Sequence, residues 1–99
     1  MTMTKKLDGN KLTVAVEGRL DTLTAPDLEA QLLPVLNGVE ALVIDFKDLT
    51  YISSAGIRVL VQAAQTMYDQ KGNMKVINAN NDVKNIFTMT GLTNALGVE

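Results

Sequence analysis

Two adjacent hydroxyls, Ser53 and Ser54, are the side chains in this sequence best placed to take part in chemistry. They lie in the stretch Leu49-Thr50-Tyr51-Ile52-Ser53-Ser54-Ala55-Gly56-Ile57-Arg58-Val59-Leu60. An apolar, β-branched run, Ala41-Leu42-Val43-Ile44, precedes it, and an amphipathic run of about four helical turns follows. This is a strand-to-helix junction, where a serine can accept a hydrogen bond from an unpaired N–H of the first turn. A cap alone would account for Ser54. Ala55 and Gly56 leave little bulk beside it, so its hydroxyl is expected to be reachable by water and by another protein. The acids Asp21, Asp45 and Asp48 read singly as turn formers or solvated charges, and as a trio they lack the spacing of a cation loop. Arg58 reads as part of a solvated helix face.

Composition removes several chemistries. The chain has no cysteine and no histidine, which excludes thiolate catalysis, disulfides, thiolate zinc sites and a Ser-His-Asp triad. A small hydrolase using Ser54 as nucleophile would need a lysine as base, and no lysine lies within or directly beside the motif. The glycines form neither a GxxxxGK[ST] nor a GxGxxG phosphate cradle. Nine basic residues against eleven acidic ones, net −2, disfavour nucleic acid as a partner, and two tyrosines with two phenylalanines make a poor stacking platform. No apolar run is long enough to span a membrane, and the lysines near the N-terminus are not followed by an apolar segment, so a cytoplasmic chain is expected. A docking module whose Ser54 edge is switched by phosphorylation fits these exclusions better than an enzyme.

The elements that must position Ser54 follow from periodicity. Asp8-Gly9-Asn10 separates two short runs and predicts an N-terminal β-hairpin, with Leu12, Val14 and Val16 on one face of the second arm. Thr24, followed by Pro26 and Asp27, is the expected cap of a first helix that buries Leu28, Leu32, Val35 and Leu36, with Pro34 loosening its last turn. Val39 to Phe46 is the expected central strand, apolar enough to be covered on both faces. The second helix should start at or near Ser54 and run to Lys71 with Gly72 as its C′ residue, burying Ile57, Leu60, Val61, Ala64, Met67 and Tyr68. Met74 to Ala79 should form another strand. Asn80 or Asn81 should cap a third helix with Val83, Ile86 and Phe87 inward, stopped by Gly91, and Thr93 to Val98 is a short tail that could pair or pack. The order β-β-α-β-α-β-α predicts one α/β domain over residues 1–99, a mixed but mostly parallel sheet opened by the hairpin. The Asp21 loop and the Asp48 to Ser54 loop then share the edge beyond the carboxyl ends of the strands.

The stretch from Asp45 to Leu60, with Ser53-Ser54-Ala55-Gly56 at its centre, resembles the signature of STAS domains and specifically of bacterial anti-sigma factor antagonists. Gly18-Arg19-Leu20-Asp21 is similar to a second signature of that family, and Val83-Lys84-Asn85-Ile86-Phe87 with Gly91-Leu92 to its C-terminal helix. The resemblance implies a partner-switching binding protein that needs no cofactor. Its unphosphorylated form would bind an anti-sigma factor that is also a serine kinase, phosphorylation would dissolve the complex, and a PP2C-type phosphatase would reset it. By this resemblance the phosphoacceptor is Ser54, with Ser53 second, and the docking edge comprises Asp21, Thr22, Ser53, Ser54, Ala55, Gly56 and Arg58. The same fold could also serve a phosphorylation-controlled complex that does not end in a sigma factor.

Overall fold

The computed structural model describes every residue from Met1 to Glu99. Strands β1 (Thr2–Asp8) and β2 (Lys11–Leu20) form the expected antiparallel hairpin, paired from Asp8 with Lys11 to Thr2 with Glu17. Leu12, Val14 and Val16 are buried on one face of β2, while Lys11 and Glu17 are exposed on the other. Helix α1 (Ala25–Leu32) carries Pro26 in its first turn and passes into a 3₁₀ turn, Leu33–Val35, where Pro34 lacks the N–H needed to continue an α-helix. Strand β3 (Ala41–Asp45) is parallel to β2, and β5 (Asn73–Ile77) is parallel to β3. Between them run β4 (Leu49–Ile52) and helix α2 (Ser54–Asp69), and α3 (Asn81–Met89) follows β5. The sheet order is β1-β2-β3-β5, with β4 paired to the far end of β2. The fold is therefore the mixed, mostly parallel α/β arrangement that the alternation of elements predicts.

Strand β4 was expected as loop. Its pairing with β2 is parallel but slips between Gly18 and Arg19: Gly18 faces Leu49, Arg19 faces Tyr51, and Thr50 is left as the extra residue of a bulge. Thr50 Oγ1 donates instead to the Gly18 carbonyl at 3.0 Å. The bulge puts Leu49 and Ile52, three positions apart, both into the core, so the segment shows no alternation to read.

The helices cover one face of the sheet. Leu12, Val14, Val16, Leu42, Ile44 and Val76 pack in a single core with Leu28, Leu32 and Leu36, with Val59, Leu60, Ala63 and Met67 of α2, and with Val83 and Phe87 of α3. Leu42, Val43 and Ile44 of the central strand are all buried as expected, although Val43, on the opposite face, lies outside the cluster that the helices cover. Val35 is also exposed, because the 3₁₀ turn rotates it off the buried stripe while Leu36 remains in. The tail packs: Leu96 is buried, and Val98 bridges Val76 in parallel, covering the outer edge of β5.

Helix α2 is rotated from the expected stripe. It buries Gly56, Val59, Leu60, Ala63 and Met67, leaving Val61 half out and Tyr68 79% exposed. Small residues decide this orientation. A Cβ on Gly56 would stand 2.6 Å from Leu20 Cγ, 2.9 Å from Leu20 Cδ2 and 3.1 Å from Ile52 Cγ1, so the helix backbone rests directly on the ends of β2 and β4. At the other end Lys71, not Gly72, takes the left-handed conformation at φ 61°, and the Gly72 N–H closes the cap on the Met67 carbonyl at 2.8 Å. Gly72 is required for space, since a Cβ there would lie 2.9 Å from the Glu40 carbonyl oxygen. Gln70 Nε2 ties this end to the Leu36 and Val39 carbonyls at 2.7 and 2.9 Å.

Gly56→Ala is accordingly expected to destabilise the fold by about 1–3 kcal/mol through overpacking, although alanine is the better helix former. Chemical denaturation checks this, and an unchanged or raised midpoint would refute the close packing as the reason for glycine.

Candidate functional site

The parallel pairing of β2 with β4 brings two separate stretches of sequence to one edge. Leu20 pairs with Ile52, and the next residues, Asp21 and Ser53, leave the two strands side by side. The Ser53 N–H donates to the Leu20 carbonyl at 2.9 Å, and the Ser53 carbonyl accepts from the Ile57 N–H at 3.0 Å as helix α2 begins. Ser53 is thus the N-cap, with extended backbone, and Ser54 is the first helical residue. Ser53 is half-buried. Its Oγ is shut off from solvent with no hydrogen-bond partner, and it does not cap the helix. Ser54 is exposed and is not the N-cap, so capping does not account for it. Its hydroxyl lies at the end of a 16-residue helix where first-turn N–H groups and the positive end of the helix dipole face outward.

The Asp21 loop is built by its own hydrogen bonds. Asp21 Oδ1 accepts from the Leu23 N–H at 3.0 Å and the Thr24 N–H at 3.1 Å. Thr24 precedes α1 as expected but does not cap it with its side chain. Its Oγ1 accepts from the Asp21 N–H and donates to the Arg19 carbonyl, both at 2.9 Å. The Thr24 N–H is the main reason the Asp21 carboxyl is held below its ordinary value of 3.8, with Leu23, the Thr24 hydroxyl and Arg19 adding to it against partial desolvation. Asp21 is therefore an anion at neutral pH, placed beside the serines.

Arg19 and Tyr51, partners across β2 and β4, form a second feature of the edge that the sequence did not reveal. The Arg19 guanidinium lies 4.3 Å from the centre of the Tyr51 ring, and its Nε is 3.7 Å from Asp21 Oδ2. Seeing this pair in sequence would have required knowing that β4 exists. Leu23, 85% exposed in the Asp21 loop, is the other omission, and its signal was an apolar residue between Thr22 and Thr24 in a turn. Of the remaining expected site residues, Thr22 is exposed, Ala55 is half-buried, and Arg58 is exposed one turn along α2 from Ser54. Gly56 is buried under the helix, and what it gives the edge is the approach of α2 to the strands rather than a surface of its own.

The other acids do not join the site. Asp45 Oδ1 accepts from the Lys47 N–H at 2.9 Å and from Asn78 Nδ2 at 3.1 Å, and Asp48 contributes its backbone carbonyl to the Gly18 N–H at 2.9 Å. No group of three acidic side chains is arranged to hold a metal ion.

Comparison with known proteins places this geometry among relatives. The family profile described as "Mlab, STAS domain" matches residues 3–98. The chain is similar to an anti-sigma-B factor antagonist of Bacillus subtilis, 29% identical over 94% of this chain and 85% of the relative. It is 31% identical to BtrV of Bordetella bronchiseptica, by name a candidate anti-sigma factor antagonist, over 87% of this chain and 74% of the relative. Among solved structures, the phosphorylated form of the Bacillus cell fate determinant SpoIIAA superposes with a TM-score of 0.79 at 14% identity, covering 99% of this chain and 91% of that one. At such identity the superposition speaks for the fold alone. No helix is long and apolar enough to cross a membrane.

Two expectations follow from the local bonding. Ser53→Ala should leave stability unchanged or raise it by up to about 1–3 kcal/mol, because the buried hydroxyl makes no bond to lose and its desolvation is uncompensated. Asn80→Ala should cost about 1 kcal/mol, because Asn80 Oδ1 caps the Val83 N–H at 2.9 Å. Paired denaturation curves separate the two, and an equal loss for both would contradict the assignment. For Asp21, whose carboxyl titrates lower when folded than when unfolded, the anion's contribution is complete above the unfolded value and is lost as pH falls through the folded one. Asp21→Asn keeps the Oδ1 acceptor without the charge. The gap in melting temperature between wild type and this variant should therefore narrow on acidification below 3.8, and a constant gap would show that the charge has no part in holding the loop.

Proposed function

Because the chain belongs to the STAS family and aligns along nearly its whole length with anti-sigma factor antagonists, we propose that it acts as such an antagonist in a cytoplasmic partner-switching pathway controlled at Ser54. It is a regulatory binding protein, not an enzyme. In this reading the unphosphorylated chain docks through the edge formed by Asp21, Thr22, Ser53, Ser54, Ala55 and Arg58, and the partner is an anti-sigma factor that doubles as a serine kinase. Gly56 belongs to this edge as the residue that seats the helix. The observation that carries the reading is the Ser54 hydroxyl: exposed, at the first position of α2, and beside the anionic Asp21 loop.

The chemistry asked of Ser54 is modest. Its Oγ forms a bond to the γ-phosphorus of ATP held by the partner, the bond from that phosphorus to the β–γ bridging oxygen breaks, ADP leaves, and the hydroxyl proton passes to a base of the kinase. Asp21 contributes a fixed negative charge by which the partner can register the loop. Its Oδ1 is occupied within the loop and its carboxyl is held in the anionic form, which argues for recognition rather than proton abstraction.

Phosphorylation would then change the surface and spare the fold. A phosphoserine carries about −1.5 to −2 charges at neutral pH, and at a helix N-terminus it meets free N–H groups and the positive end of the dipole. Docking is different, because the added dianion and Asp21 would enter one interface together. A charge desolvated there without compensation costs several kcal/mol, and every 1.4 kcal/mol lowers affinity tenfold. A PP2C-type phosphatase resets the switch by hydrolysing the ester.

Incubation with candidate partner kinases and ATP, followed by intact mass and site mapping, should show one phosphate on Ser54. Ser54→Ala should take up none and stay bound to the kinase, and Ser54→Asp should bind more weakly. Undiminished phosphate uptake by the alanine variant would overturn the site, and label on Ser53 would move it by one residue.

A further inference from the structure

We infer that the phosphate on Ser54 is held within the chain by two arginines, Arg58 from its own helix and Arg19 from the end of β2. This rests on the reading of Ser54 as the phosphoacceptor and adds what receives the charge.

Arg58 stands four residues after Ser54 in α2, so the two side chains are neighbours on one helical face. It is exposed, and the two ion pairs in the structure, Arg19 with Asp21 and Lys75 with Glu99, leave it without an acid. An acidic group N-terminal to a basic one at this spacing is also the favourable orientation with respect to the helix dipole. Arg19 projects from the face of β2 opposite Leu20, away from α2, and would reach Ser54 around the strand ends. It is paired with Tyr51, and its guanidinium, over the Tyr51 ring, already leans along the strands toward Asp21, the end where Ser53 and Ser54 follow. Its hold on Asp21 is weak, a single 3.7 Å approach by Nε to a carboxylate whose other oxygen is engaged by the loop. A phosphate dianion offers more charge and three acceptor oxygens, and a guanidinium can meet it with two parallel N–H bonds. Movement of Arg19 from Asp21 to the phosphate would leave the Asp21 loop standing, because Leu23 and Thr24 rather than Arg19 hold it.

The regulatory consequence follows by linkage. Where docking requires these contacts to be given up, the two arginines favour the released form.

The test uses the full chain with phosphoserine installed at position 54 by translation, which separates it from the question of which kinase modifies which residue. The readout is the second ionisation of the phosphate followed by phosphorus NMR. Arg19→Gln and Arg58→Gln are each expected to raise that pKa by about 0.2 to 0.7 of a unit, the effect of an exposed ion pair, and together by roughly the sum. Arg58→Lys should restore part of its share. Lys84→Gln, which removes the same charge from the exposed side of α3, should leave the titration unchanged. If either arginine variant titrates like wild type, the two-sided hold is wrong; if Lys84→Gln shifts it equally, the effect is net charge alone and the inference falls. If the mapped phosphate of the enzymatic reaction lies elsewhere, the reading of Ser54 fails by itself, while the titration still reports on the arginines.

Discussion

The structure depends on one contact: the backbone of α2 at Gly56 lying against Leu20 and Ile52, the last paired residues of β2 and β4. Without a side chain at this position the helix can start directly above the strand ends, and its first residue projects from the edge rather than into the core. Everything at the site inherits its place from that approach. Ser53 is drawn into the junction with its N–H on Leu20, Ser54 is pushed out, and Asp21 leaves β2 alongside them. The rotation of α2 follows as well, since a helix seated on a glycine and continued by Ala63 turns its small residues inward and its Tyr68 outward.

Strong local signals made much of this legible in sequence. The turn Asp8-Gly9-Asn10, the alternation through Leu12, Val14 and Val16, the proline that changes α1 into a 3₁₀ turn, and the cap at Asn80 are each settled by a residue and its immediate neighbours. The start of α2 at Ser54 was legible for the same reason. The features that escaped depend on partners distant in sequence. Strand β4 exists because β2 continues past its pairing with β1 and β3, and its bulge at Thr50 erases the alternation that would have announced it. The buried face of α2 could not be chosen from hydrophobicity, because the deciding contact is made by the residue with no side chain. Lys71 was passed over as the left-handed residue in favour of Gly72, which the fold needs for its close approach to Glu40.

The structure brings together the two loops that the sequence placed on one edge, and adds a contact the sequence did not show. Asp21 and Ser54 were brought together from the pairing rule for parallel strands alone. The cation between the loops was missed, because Arg19 gains its importance only when β4 sets Tyr51 beside it. Of the two readings left open for Asp21, turn former or solvated charge, the structure shows the turn former, and the backbone of that turn is the main cause of its lowered pKa. An aspartate committed in this way is a poor proton acceptor but a reliable anion, fixed in position and ionised at neutral pH.

That commitment would let one edge, on the proposed reading, work in two states without moving. The loop keeps its shape whether or not Arg19 stays beside it, since the bonds from Leu23 and Thr24 are sufficient, and the helix keeps its seat because Gly56 rather than Ser54 makes the packing contact. On the proposed reading, Ser54 would therefore gain or lose a dianion with no core residue required to respond. The cations proposed to follow the charge are exposed, Arg19 in its long-range pair with Asp21 and Arg58 with no pair at all. On that reading, a rigid junction with exposed cations beside it would transmit phosphorylation as a change of surface potential. In such an arrangement the affinity of a partner can fall by orders of magnitude while the stability of the fold stays nearly constant, since a helix-terminus charge contributes only about 0.3–1 kcal/mol when exposed, whereas the same charge enclosed in an interface costs several.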